Sequence, residues 1–166
     1  QRRLWCFRRA EQVALNKNTG NAQCWGSSNF GGACGDVNFA GVTDVYSNAR
    51  AFVTLNKNTG RAQCWGDSSS GGSCSDLDFA GITDVYGTKP YDGGGAFVAL
   101  NKNTGKAQCW GSSRYGGAGV TDVYSKCSDV EFAGVTDVYS NGYQLAFMAL
   151  NKNNGKARCW GASWSG

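Results

Sequence analysis

A twelve-residue stretch, Leu55-Asn-Lys-Asn-Thr-Gly-Arg-Ala-Gln-Cys-Trp-Gly66, constrains this chain more than any other part of it, because near copies end at Gly26, Gly111 and Gly161. Every copy runs from apolar residues through Asn-Lys-Asn-(Thr/Asn)-Gly into Ala-(Gln/Arg)-Cys-Trp-Gly. Asn and Gly tolerate the positive φ of a tight turn, so the flanking runs read as two antiparallel strands of a hairpin. The Cys-Trp-Gly signatures start at positions 24, 64, 109 and 159, giving spacings of 40, 45 and 50 residues. Repetition at this period points to a propeller, a solenoid or an array. The lengthening falls in loops, around Gly87 to Gly95 and in an extra stretch, Ala118 to Ser125, whose Gly-Val-Thr-Asp-Val-Tyr-Ser recurs at Gly134 to Ser140.

The unit that begins near Gly41 shows what each repeat contains. Gly41-Val-Thr-Asp-Val-Tyr46 alternates with period two and predicts a strand, Ala51–Leu55 predicts a strand buried on both faces, and Arg61–Trp65 predicts a third. Asp67 to Phe79 is rich in Ser and Gly and predicts the long loop. Residues 1–13 are a divergent start, with Leu4-Trp-Cys-Phe7 where later units have Asp-Val-Tyr. No stretch predicts a helix. The fold class is therefore all-β: one domain over residues 1–166, built as four repeats of about three antiparallel strands and β-propeller-like. A single unit cannot bury its own apolar face, so the units stack, and the ends are either closed on each other or completed by another chain. Val45, Phe52, Val53, Leu55, Trp65 and their equivalents are the expected core, each large side chain contributing roughly 1.5–3 kcal/mol on burial. The recurring Trp is read as packing between units rather than as a sugar platform.

There are eight cysteines and no histidine. Paired Cys-x2-4-Cys zinc knuckles are missing. Cys24 and Cys34 lie ten apart, Cys64 and Cys74 ten apart, and Cys109 and Cys127 eighteen apart, each pair bracketing a Trp-Gly and a Gly-Gly. This spacing predicts three local disulfides and an oxidising compartment, extracellular or the lumen of an organelle. Cys6 and Cys159 remain; either they clasp the two ends of the chain or each bonds to a neighbouring molecule. The start at Gln1 without an apolar leader fits a processed chain and equally a fragment.

Catalysis finds little support. Without histidine, Ser-His-Asp and Cys-His chemistry is excluded. The recurring Asp44, Asp84, Asp122 and Asp137 read as turn or cross-strand partners rather than as an acid–base pair. Asp36, Asp76, Asp78, Asp129 and Glu131 invite a calcium reading but lack the dense spacing of known calcium loops. The Asn-Lys-Asn-Thr-Gly turn is no P-loop, since no Lys-(Ser/Thr) follows it. The sequence therefore calls for no cofactor and no metal. No Asn-x-(Ser/Thr) acceptor exists, and no apolar run reaches the roughly 20 residues of a membrane helix. The net charge is +4, concentrated at Arg2, Arg3, Arg8 and Arg9, without the sustained basic face of a nucleic-acid reader.

The order Val-Tyr-Ser, Ala-Phe-x-Ala-Leu, Asn-x-x-Gly, Ala-x-x-Trp-Gly and Gly-Gly resembles the regulator-of-chromosome-condensation repeat. In the third unit Ala99-Leu100, Gly105, Trp110-Gly111 and Gly116-Gly117 carry the resemblance, which runs from about Val13 to Gly161. The 40-residue spacing is also similar to a short secreted version found in a bacterial β-lactamase-inhibiting propeller. Members of this family are mostly seven-bladed propellers used as interaction platforms, some as exchange factors for small GTPases and some as secreted inhibitors. This chain departs from them in having four units, a disulfide per unit and no glycine-histidine pair before the Ala-Leu strand. The resemblance implies a fold and an interaction role rather than nuclear or GTPase activity.

The expected function is thus a non-catalytic secreted or lumenal platform for a protein partner, or a structural subunit that self-assembles. A carbohydrate-binding lectin with repeated sites is the alternative. Specificity is expected in the loops that differ between units, with Phe30, Tyr91, Arg114 and Tyr115 as candidate anchors.

Overall fold

In a computed structural model the described residues are 12–88, 94–117, 127, 130–140 and 146–161, with the backbone alone for Gln12. They form eleven strands: β1 (Gln12–Asn16), β2 (Asn21–Trp25), β3 (Asp44–Ser47), β4 (Ala51–Asn56), β5 (Arg61–Gly66), β6 (Asp84–Gly87), β7 (Ala96–Asn101), β8 (Lys106–Gly111), β9 (Asp137–Ser140), β10 (Ala146–Asn151) and β11 (Lys156–Gly161). All pairing is antiparallel, in one two-stranded sheet, β1-β2, and three three-stranded sheets, β3-β4-β5, β6-β7-β8 and β9-β10-β11. Single 3-10 turns follow the first three sheets at Ser28–Phe30, Ser68–Ser70 and Ser113–Tyr115.

The repeated turn sets the register. Asn56 Oδ1 accepts from the backbone N–H of Asn58 and Thr59 at 3.0 and 3.1 Å, and the Gly60 N–H donates to the Asn56 carbonyl at 2.8 Å. Gly60 has φ +69°, and a Cβ there would lie 2.8 Å from Ala80 Cα in the next loop. Glycine is therefore demanded twice at this point. The turn pairs Leu55 with Ala62, Val53 with Cys64 and Phe52 with Trp65.

The first strand of each unit is shorter than the period-two pattern suggests. In Gly41–Tyr46 only the residues from Asp44 onward are extended. Gly41 has φ +71°, and the Val42 N–H donates to the Phe39 carbonyl at 3.2 Å. A tight turn at this point drops Phe39 and Val42 into the core, where they are 6% and 7% exposed.

Alternation along each central strand divides its side chains between two interfaces. Ala51, Val53 and Leu55 pack forward against Phe97, Ala99 and Trp110 of the following sheet, with Phe79, Ile82 and Val85 beside them. Phe52 and Trp65 pack backward against Val13, Leu15 and Ala22 of the preceding sheet. The third interface repeats this, with Ala96, Val98 and Leu100 against Phe147, Ala149 and Trp160. The sheets are thus stacked face to face in chain order.

One aromatic arrangement recurs at every interface. The Trp65, Trp110 and Trp160 indoles donate to the carbonyls of Gly31, Gly71 and Gly116 in the loop of the preceding sheet, at 3.0, 3.0 and 3.2 Å. Each indole stacks on the Phe beside it (Phe52, Phe97, Phe147; centroids 5.1–5.2 Å) and meets a loop Phe edge-on (Phe39, Phe79, Phe132; centroids 5.4–5.8 Å). Trp25 departs from the expected core: it is 42% exposed, because no described sheet lies behind the first one.

Disulfides join Cys24 to Cys34, Cys64 to Cys74 and Cys109 to Cys127, the pairs predicted by the spacing, with Cα atoms 6.0, 5.7 and 6.1 Å apart. Each ties the last strand of a sheet to the loop that leads into the next. Cys159 is free and exposed, so no bond joins it to Cys6 in this structure, and Cys6 lies outside the described residues.

The tryptophans are accordingly unequal. Trp110→Ala is expected to cost about 3–5 kcal/mol in urea unfolding. Trp110→Phe should cost about 1–3 kcal/mol, because the Gly71 carbonyl loses its buried donor. Trp25→Ala should stay within about 0.5 kcal/mol.

Candidate functional site

The stack leaves two sheet faces without a described neighbour. The register places Tyr139, Met148 and Cys159 side by side on one face of the last sheet, with Asp137, Leu150 and Ala157 beside them. The same positions in the second sheet are Tyr46, Val53, Cys64, Asp44, Leu55 and Ala62. In the third they are Tyr86, Val98, Cys109, Asp84, Leu100 and Ala107. Covered by a following sheet, Val53, Leu55, Val98 and Leu100 are fully buried. In the last sheet Met148 and Leu150 are only half-buried, Ala157 and Cys159 are exposed, and Tyr139 is 44% exposed. At the other end, the outward face of the first sheet carries Trp25, Ala14 and Gln23, and Gln12 stands at the register position of Phe52. Trp25 and Tyr139 are the exposed large hydrophobics among the described residues, one on each open face.

Beside the forward face of each three-stranded sheet lies a charged cluster. The turn lysine folds back onto the aspartate that opens the first strand: Lys57–Asp44 at 3.3 Å, Lys102–Asp84 at 3.1 Å and Lys152–Asp137 at 2.9 Å. Three of the four recurring aspartates therefore act as cross-strand partners, while Asp122 lies outside the described residues. Lys57 and Lys102 also donate to the hydroxyls of Tyr46 and Tyr86. The sequence reading missed the lysines and tyrosines of these clusters, although Lys two residues after Leu and Tyr two residues after Asp recur as regularly as the cysteines.

The loop candidates fare unevenly. Tyr115 is a core residue at 6% exposure, packed in the third interface with Gly94 close against its ring, so it is no surface anchor. The Phe30 ring is half-buried and covered by the Arg50 guanidinium at 4.7 Å, which is itself tied to Asp67 at 3.6 Å. Arg114 is exposed, its guanidinium 5.8 Å from the Tyr115 ring centroid. Tyr91 lies outside the described residues. Among the described residues no three His, Cys, Asp or Glu groups lie together as a metal set, and Asp78 is paired with Lys106. No helix among them is long and apolar enough to cross a membrane.

Two equivalent grooves lie between a hairpin and the loop that follows it. One, of about 910 Å³, is lined by Ala14, Asn16, Gln23, Val37 and Phe39; its counterpart, of about 490 Å³, by Thr54, Asn56, Gln63, Leu77 and Phe79. Trp65, Trp110 and Trp160 are buried at the interfaces and present no ring to either groove.

The clusters are expected to loosen in alkali. Burial pushes the Tyr46 and Tyr86 hydroxyls above the usual tyrosine value. Partial burial opposes the charge on Lys57 and Lys102, but hydrogen bonds to those tyrosines and the neighbouring carboxylates outweigh it and raise both lysines. The folded state thus holds tyrosine neutral and lysine charged more firmly than the unfolded chain does. The stability this supplies is complete below the ordinary tyrosine and lysine values and is lost as pH climbs through the raised ones. The melting temperature should accordingly be flat between about pH 7 and 9 and fall above about pH 10. A thermal melt series checks it, with tyrosinate absorbance reporting a late-titrating pair.

No family model matches the chain, and no curated protein matches it significantly. Among solved structures it is similar to the entire ectodomain of the receptor kinase CR4 from Physcomitrella patens, with a TM-score of 0.61 and 19% sequence identity. The match covers 93% of this chain but 39% of that one, so the chain spans well under half the length of the ectodomain, and at this identity the likeness is one of fold.

Proposed function

We propose that this chain is a non-catalytic, propeller-like stack of sheets that acts in an extracellular or lumenal setting as a docking or structural unit, meeting another polypeptide through its two uncovered sheet faces. One observation carries the reading: positions that are fully buried between sheets elsewhere in the chain stand open at its ends, around Trp25 and around Tyr139, Met148 and Leu150. An apolar sheet face of this kind is costly to leave in water and marks an interaction surface. Three disulfides that staple loops suit an oxidising compartment. The likeness in fold to a receptor ectodomain supports an interaction role in such a setting, and the resemblance to the regulator-of-chromosome-condensation repeat is what suggests the propeller-like frame.

The lectin reading keeps one specific support, the pair of equivalent grooves lined by Asn16, Gln23, Asn56 and Gln63. Binding on a glycan array that Gln23→Ala weakens would favour it.

The docking reading is tested with the apolar dye anilinonaphthalene sulfonate at low protein concentration. Fluorescence should rise with the wild-type chain and fall to half or less with Leu150→Asp. A wild-type chain that leaves the dye unaffected overturns the reading.

A further inference from the structure

We infer that the occupant of the open face on the last sheet is the Trp25 face of a second copy of this chain, so that copies join head to tail. The inference rests on the docking reading above and adds the identity of the partner.

The chain makes this kind of contact three times within itself. At the second and third internal interfaces a forward face of Tyr, Val, Cys and Leu positions receives the Trp of the next sheet, and at the first Trp65 meets Val13, Leu15, Ala22 and Cys24. The described residues leave one forward face without a Trp and one Trp without a forward face. The forward face is that of Tyr139, Met148, Leu150 and Cys159. The Trp is Trp25, 42% exposed where Trp65, Trp110 and Trp160 are 8%, 5% and 2% exposed. Joining the two repeats an operation the fold already performs, and it covers the exposed large hydrophobics of both faces at once.

The chemistry at the rim is compatible with burial. Asp137 is paired with Lys152 at 2.9 Å, so covering Tyr139 strands no carboxylate. In the second and third sheets the same pair, Lys57–Asp44 and Lys102–Asp84, sits at the edge of a covered face. One position weakens the joint: Gln12 stands where Phe52, Phe97 and Phe147 stack on the indole elsewhere. The contact between copies therefore lacks the Phe–Trp stack and depends on concentration. Two different faces meet, so the interface is heterologous and propagates into a ring or a filament.

The test is sedimentation velocity over a wide concentration range without reductant, on the wild-type chain, Trp25→Ser, Met148→Asp and an equimolar mixture of the two variants. The wild type should grow in mass with concentration. Each variant alone should associate at least about tenfold more weakly, as loss of a central aromatic or a buried charge in an interface does. The mixture should stop at a dimer, because Trp25→Ser retains an intact forward face and Met148→Asp an intact Trp25. Alkylation of Cys159 by a maleimide, read by peptide mapping, should slow as the wild type assembles. A wild type monomeric throughout the range overturns the inference, as do variants that assemble like the wild type. If that monomer still binds the apolar dye and Leu150→Asp loses it, only the second copy is excluded and the faces serve a different polypeptide. If it binds no dye, the docking reading falls as well.

Discussion

The tryptophan that reaches across each interface is the interaction on which the rest of the structure depends. Its indole N–H finds the carbonyl of a glycine in the previous loop, while its ring lies on a phenylalanine of its own sheet. A sheet of three short strands buries little by itself, so stability comes from stacking one sheet on another, and this residue fixes both their distance and their rotation. The glycine is obligatory: Gly71 has φ +95°, and a Cβ there would lie 2.7 Å from the Phe97 ring. Hydrogen bond, stack and close backbone approach are one device repeated at three interfaces.

Everything else serves to deliver that tryptophan. The Asn-Lys-Asn-Thr-Gly turn sets the hairpin register, so that Phe and Trp face backward while Val, Leu and Cys face forward. Disulfides hold the loop that carries Gly31, Gly71 or Gly116 at one end and Phe39, Phe79 or Phe132 at the other. In the second sheet Asn48 joins the same task, its side chain donating to the Ser70 carbonyl at 2.6 Å and accepting from the Arg50 and Ala51 N–H groups. A fold built this way is modular, with each sheet both an incoming and a receiving partner. Its ends are therefore unlike its middle: one exposes a tryptophan, the other exposes the surface a tryptophan would fill.

That modularity also accounts for the cysteine pattern. Cys24, Cys64 and Cys109 bond to the loop that introduces the next sheet, whereas Cys159 occupies the same register position on a face with no described neighbour and is free. The half-buried Met148 and the exposed Tyr139 are two consequences of one uncovered surface, on which the Cys159 thiol also lies.

The local pattern alone determined the all-β class, the hairpins and the three disulfide pairs, because each depends on residues within one turn or one loop. Core membership was legible where alternation in β4 placed Ala51 to Leu55 between two sheets. It failed at Trp25 and at Tyr115, whose burial depends on what lies against them in space. The charged clusters were missed because Lys57 and Asp44 stand thirteen residues apart and meet only once β3 pairs with β4. Which faces remain open was decided by the tertiary structure alone. A repeat carries the same residues whether or not another sheet covers it, and burial is a property of neighbours, not of sequence.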